Sequence, residues 1–245
     1  MGEEGSPQPC GCFPQYGPKL VRPTVDIPFH SERQDTTSPA WQHLQELIDE
    51  AAADARTVFA PLEDLSFEES LQIVTLPKTI DRLTAVKEFD LQYSNLVRIP
   101  PEIGAMANLE EFRPYKSHRL HWFPYEITRC AALSSSLVST RSLYGNRKLR
   151  QPFPRLQRSA DATRDLDPGV WGASEILSCS VCGQPMVASV VHRVWISLCV
   201  ATDVLPLLVN ACSQACIAAL PPPAEGYIGT PHLGGVELAQ PPANW

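Results

Sequence analysis

The chain has 245 residues, a formal net charge of −7 and an ordinary hydrophobic fraction of 44%. A chain of this length can form one large domain or two modest ones around a sizeable core. The net negative charge argues against general nucleic-acid binding as the main function.

The N-terminal sequence MGEEGSPQPCGC is acidic and lacks the apolar segment of a signal peptide. The most apolar run, residues 187–209, is interrupted by His192, Arg193 and Asp203, so no membrane-spanning helix is predicted. We therefore expect a soluble, cytoplasmic protein without membrane contact. In that compartment, cysteine pairs are more often metal ligands or redox groups than disulfides.

The first predicted elements are an irregular leader and a helix. Residues 1–38 are rich in Pro and Gly, and their C-x-C pair, Cys10 and Cys12, is interpreted as incidental. Ser38 is a good N-cap and Pro39 a good first residue for a helix. Apolar residues at helical spacing predict a helix over 39–58, which Pro61 ends. Residues 39–61 are thus predicted to form a helical N-terminal cap.

A repeating pattern follows this helix. Starting at Leu62, Val86, Leu109 and Leu133, apolar residues recur in units of 24, 23 and 24 residues. The first three units each contain an apolar–Pro–x–x–Ile element, at Pro77, Pro100 and Pro124. The pattern resembles the leucine-rich repeat family over residues 62–157, with a decaying fourth unit. The resemblance implies an α/β solenoid: a short repeat stack with one core and capped ends.

The units depart from the family consensus in two ways. Serines stand where the consensus has asparagine, at Ser70, Ser94 and Ser117. Serine can still hydrogen-bond the turn, although more weakly. Pro114 stands where a strand-forming leucine belongs, so we expect a distorted third unit.

The repeat pattern also predicts a binding face. Side chains between the apolar strand positions point away from the core, because strand side chains alternate. Such faces in leucine-rich repeat proteins chiefly bind other proteins, and Tyr and Arg are common interface anchors. A protein or peptide with a basic segment would suit this face; the alternative is a solvated surface with no partner. The candidate partner-binding residues are Asp64, Glu68, Glu88, Asp90, Gln92, Tyr93, Glu111, Arg113, Tyr115 and Lys116.

Two cysteine pairs characterise the predicted C-terminal module, residues 168–245. Cys179 and Cys182 form a C-x2-C followed by Gly183, and Cys212 and Cys216 form a C-x3-C. A predicted strand and a short helix capped by Ser213 complete a resemblance to treble-clef-like zinc ribbons. Four thiolates would form a closed structural zinc site. A thioredoxin-like redox pair and inert buried cysteines are the alternatives, and mid-strand Cys199 is interpreted as a core residue.

The charge changes sign before this module. Residues 134–165 carry seven basic and two acidic side chains. Residues 158–167 are the end of this basic linker. Since HExxH, GxSxG and P-loop motifs are absent from the sequence, we expect no enzyme. The sequence favours a non-catalytic protein-interaction protein. It would bind its partner on the predicted binding face, which is the concave strand face of the repeat stack. The alternative is a regulatory or nucleic-acid-associated adaptor that contacts its target through residues 141–164 and the zinc module.

Overall fold

The computed structural model describes residues 25–156, 178–186 and 191–243. Within these ranges the chain forms two small sheets, one of four strands and one of three. The expectations for Cys10 and Cys12, for most of the leader and for the linker 158–167 lie outside the described residues.

Helix α1, Pro39–Ala53, begins where the sequence predicts. The Ser38 hydroxyl accepts a hydrogen bond from the Trp41 backbone N–H at 3.2 Å, which satisfies one free amide of the first turn. The helix ends at Ala53, five residues before the predicted end. Ala55 adopts a left-handed backbone conformation with φ 51°, which is incompatible with a continuing helix.

The strand predicted at the start of the first repeat unit, after Leu62, is wrong. Strand β1 is Val58–Phe59, and it is followed by helices α2, Pro61–Asp64, and α3, Phe67–Gln72. The Ser66 and Glu69 side chains form a capping box that starts α3, so this segment satisfies its backbone locally. Asp64 and Glu68 therefore lie on helices rather than on a strand face.

The parallel sheet continues with β2, Glu88–Asp90, β3, Glu111–Arg113, and β5, Ser135–Ser136. Glu88 pairs with Glu111, and Glu111 pairs with Ser135, so matched positions are 23 and 24 residues apart. Four 3₁₀ helices accompany these strands: Lys78–Arg82, Pro101–Ala105, Tyr125–Arg129 and Thr140–Ser142. The first three begin directly after Pro77, Pro100 and Pro124.

Two of the three serines at the consensus asparagine positions contact each other. The Ser94 and Ser117 hydroxyls are buried and lie 2.7 Å apart, and Ser117 also donates to the Leu91 carbonyl. Ser70 instead lies on α3 and donates to the Phe67 carbonyl. Pro114 does not shorten its unit, because β3 ends at Arg113 and matches β2 in length.

The C-terminal region forms a hairpin of β6, His192–Val200, and β7, Asp203–Ala211, followed by helix α4, Gln214–Ala218. Strand β4, Phe123–Pro124, pairs in parallel with β7 rather than with the four-stranded sheet. Strand β6 covers most of the predicted C-terminal strand. Cys199, predicted to be a core residue, is exposed on β6.

The predicted α/β solenoid is therefore wrong as a fold class. The described part of the chain has an α/β fold with a small parallel sheet, a small mixed sheet and few helices. The physical reason is the pairing of β4 with β7: the C-terminal strands take part in sheet formation instead of following a stack of repeats.

A row of buried phenylalanines crosses the core. Phe59, Phe89, Phe112 and Phe123 come from successive strands, β1 to β4, and adjacent ring centroids lie 5.7, 6.0 and 5.9 Å apart. The last pair joins the parallel sheet to the mixed sheet. On the other side of the mixed sheet, Trp195 is fully buried and donates its indole N–H to the Pro154 carbonyl at 3.0 Å.

Replacing Phe112 with Ala should destabilise the whole fold, because its ring contacts the rings on both sides. We expect the free energy of unfolding to fall by about 3–5 kcal/mol, measured by chemical denaturation. Val58→Ala is the control: Val58 is half exposed on the edge strand, and a change within about 0.5 kcal/mol is expected. Equal effects of the two substitutions would contradict this description of the core.

Candidate metal centre and exposed sheet face

The first cysteine pair lies in a tight turn. The Cys179 N–H donates to the Gln184 carbonyl at 2.8 Å, and the Gly183 N–H donates to the Cys179 carbonyl at 3.0 Å. Gly183 has φ +73°, a conformation that favours glycine. The tight turn inferred from the sequence is confirmed. A thioredoxin-like pair would instead open a helix.

The second pair follows β7. Cys212 lies directly after the strand, and Cys216 lies on α4. The Ser213 hydroxyl accepts the Cys216 N–H at 3.2 Å, so the predicted N-cap is confirmed. This cap fixes the direction in which the first turn of α4 presents Cys216.

The four cysteines converge. The sulfur atoms of Cys179, Cys182, Cys212 and Cys216 all lie within 4.8 Å of one another. The Cys212–Cys216 and Cys182–Cys212 sulfur distances are 3.5 and 3.7 Å. Tetrahedral zinc with Zn–S bonds of about 2.3 Å places sulfurs about 3.8 Å apart, whereas a disulfide bond is about 2.05 Å long. The group therefore fits a four-thiolate metal centre.

The surroundings of the sulfurs favour negative charge at one of them. Burial acts to raise the pKa of the Cys179 thiol, but backbone N–H groups of Cys182, Cys212 and Val181 outweigh it and lower the pKa to about 6. The Cys212 pKa is raised to about 12, because Cys216, Cys182 and Cys179 hydrogen-bond with its thiol. Without a metal, these sulfurs cannot all ionise together; a divalent cation would remove that conflict.

The turn is attached to the rest of the fold by polar contacts that the sequence did not reveal. The Arg129 guanidinium donates to the carbonyls of Ser180 at 2.8 Å and Cys179 at 3.2 Å. Ser180 and Asn210 exchange two further hydrogen bonds, at 2.8 and 2.9 Å. Both Cys179 and the end of β7 are therefore held in place from outside the cysteine group.

The exposed face of the parallel sheet carries a charge cluster. Arg113 donates to Glu88 at 2.6 Å, and its Nε lies 3.6 Å from Asp90 and 3.8 Å from Glu111. The hydrogen bond to Glu88 raises the pKa of the Arg113 guanidinium. One cation thus faces three carboxylates, and this part of the face is acidic overall.

Aromatic and apolar side chains lie beside the charges. Tyr93, Tyr115 and Leu137 keep 44, 39 and 39% of their surface exposed. The Lys116 ammonium donates to the Tyr93 hydroxyl at 2.9 Å and lies 4.7 Å from its ring centroid. The structure therefore brings together eight of the ten candidate partner-binding residues, and Asp64 and Glu68 lie on α2 and α3.

A cavity of about 400 Å³ lies where α2 and α3 meet the segment after β2. Leu62, Leu65 and Phe67 line its apolar side, while Glu63 and Asp90 supply carboxylates. The sequence reasoning missed Glu63 and Phe67, because it placed this segment on a strand.

The predicted basic segment 141–164 does not form one basic surface within its described part, residues 141–156. The Arg150 guanidinium donates to the carbonyls of Gly145, Gly226 and Pro242. Arg155 pairs with Asp26 and Glu237. These two arginines are engaged in contacts within the fold.

Comparison with known proteins adds no assignment. No model of a protein family matches the chain, and no curated protein matches it. Across the described ranges, the helices are all too short or too polar to traverse a lipid bilayer.

The thiol of Cys179 gives a prediction for the metal-free protein. Since its folded pKa is lowered from 9.0 to about 6, thiolate absorbance should rise near pH 6, and stability from this ionisation should be lost as the pH falls from 9 through 6. Ultraviolet titration measures the step. It should vanish in Cys179→Ser and persist in Cys199→Ser; a first step only above pH 8 would contradict the hydrogen-bond assignment.

Proposed function

We propose that this chain is a non-catalytic protein-interaction protein that binds its partner on the exposed face of the four-stranded parallel sheet. The observation that carries this proposal is the row of exposed Tyr93, Tyr115 and Leu137 beside the Arg113 charge cluster. Exposed apolar groups bordered by polar residues are typical of protein-binding surfaces, and Tyr is a frequent anchor.

The chemistry of the face defines the partner class. The cavity beside it combines an apolar wall with the carboxylates of Glu63 and Asp90. Such a site suits a peptide segment that carries a Lys or Arg next to a large apolar side chain. The aliphatic stem of the basic residue would pack on Leu62 and Phe67, and its charge would reach the carboxylates.

We also propose that zinc binds Cys179, Cys182, Cys212 and Cys216 as a structural ion. Four thiolates complete a tetrahedral shell and leave no position for a substrate or a reactive water.

Zinc binding should depend on the clustered cysteines alone. Native mass spectrometry of the protein is expected to show one zinc ion per chain, lost in Cys182→Ser and in Cys216→Ser. Cys199→Ser is the matched control, because Cys199 is exposed on β6 outside the cluster and should leave the zinc bound. Removing zinc with a strong chelator should also lower the unfolding temperature, since metal binding contributes to folding. Zinc retained by the cluster variants would refute the site.

Partner binding should depend on the exposed side chains of Tyr93 and Tyr115. We suggest selecting ligands from a random peptide library on the immobilised protein, where basic–apolar sequences should be enriched. Tyr93→Ala combined with Tyr115→Ala should lower the affinity for these peptides by about tenfold or more. Val25→Ala, a change at an exposed apolar residue away from the sheet, is the control. Peptides that bind the double variant as tightly as the wild type would show that the face is not the binding surface.

A further inference from the structure

A second cavity, of about 390 Å³, lies away from the sheet face. Its walls come from the last 3₁₀ helix, the loop after it, the turn between β6 and β7, and the segment around Tyr227. None of the ten candidate partner-binding residues lines it.

The cavity is rich in hydrogen-bond donors. Arg141, Arg147 and Lys148 line it, and none of them forms an ion pair with a carboxylate in the described part of the chain. Tyr227 also lines it, and burial raises the pKa of its hydroxyl, which therefore keeps a proton that can be donated to a ligand. Asn146 uses its Oδ1 to accept the Lys148 and Leu149 N–H groups, which leaves its amide nitrogen as a further donor.

The acceptors in the same cavity are weaker. Asp203 already accepts a hydrogen bond from the Ser136 hydroxyl at 2.8 Å, so one of its carboxylate oxygens is engaged within the fold. Glu225 is exposed and makes no hydrogen bond within the described ranges, so its side chain can turn into solvent. The cavity therefore suits an anion better than a cation.

The loop that carries Arg147 and Lys148 is held in place beneath the cavity. The Gly145 N–H donates to the Gln151 carbonyl, and the Arg150 N–H donates to the Asn146 carbonyl, both at 2.7 Å. The Arg150 guanidinium donates to the Gly226 carbonyl at 2.7 Å and lies 5.3 Å from the Tyr227 ring centroid. Arg150 thus connects the two walls, and the backbone that carries Arg147 and Lys148 is fixed before a ligand arrives.

We propose that this cavity binds a phosphate monoester, with Arg141, Arg147, Lys148 and the Tyr227 hydroxyl as its donors. A phosphate monoester carries a charge of about −1.5 to −2 at neutral pH and three strong acceptor oxygens. Arginine pairs with such groups through two parallel hydrogen bonds, and lysine adds a compact charge. The group is supplied either by a phosphorylated side chain of a protein or by a small phosphorylated molecule.

Isothermal titration calorimetry of the full chain at constant ionic strength tests the proposal. The probes are inorganic phosphate, a short phosphoserine peptide and the same peptide without phosphate. We expect one phosphate or phosphopeptide per chain and no binding of the unmodified peptide. Arg147→Gln combined with Lys148→Gln should weaken binding by at least about tenfold. Lys78→Gln combined with Lys87→Gln removes the same charge elsewhere and should leave the affinity unchanged.

The outcomes separate the ligand classes. A phosphopeptide that binds more tightly than inorganic phosphate identifies a protein as the source, while equal affinities identify a small molecule. Phosphate affinity that is unchanged in the Arg147 and Lys148 variant overturns the proposal. So does a short oligothymidine without terminal phosphate that binds as tightly as the phosphopeptide, since it offers only diesters. Thermal unfolding checks that the variants, whose changed side chains lie at the surface, remain folded.

Discussion

The row of phenylalanines is the interaction on which the rest of the structure depends. Its strands are only two or three residues long, so each contributes few hydrogen bonds. Sheets of such short strands need apolar packing for their stability. Because Phe89 and Phe112 point into the core, the alternation of the strand turns Glu88 and Glu111 outward. The same packing therefore builds the core and arranges the charges of the exposed face.

Phe123 extends this dependence to the cysteine cluster. Its strand, β4, pairs with β7, and β7 leads directly to Cys212. The 3₁₀ helix after β4 carries Arg129, which binds the turn around Cys179. Strand β4 and the 3₁₀ helix after it thus fix both halves of the cysteine cluster, whose ligands are far apart in the chain. Zinc would hold these halves together, but the sheet already brings them within reach.

Local signals could be predicted from the sequence, and non-local pairing could not. Ser38 and Ser213 cap their helices within three residues, so composition and spacing were sufficient. The pairing of β4 with β7 joins segments about eighty residues apart, and Pro206 within β7 disguises a central strand. The capping box of Ser66 and Glu69 has a local sequence signature, S-x-x-E, but the repeat pattern led us to predict a strand in this segment. The four cysteines were predictable because zinc sites use cysteine ligands in pairs of recognisable spacing. The donors around Tyr227 come from three separate segments and were not predictable in this way.

Composition alone also conceals how the fold uses its cations. Several arginines of the described residues have internal acceptors: Arg113 faces carboxylates, while Arg129 and Arg150 bind backbone carbonyls. Arg141, Arg147 and Lys148 differ, because they gather around one cavity and form no ion pair within the described residues, although Asp203 and Glu225 also line that cavity. A rigid loop that holds like charges together costs stability. An anionic ligand would lower that cost, which is why these three cations, and not the basic segment as a whole, point to a binding site.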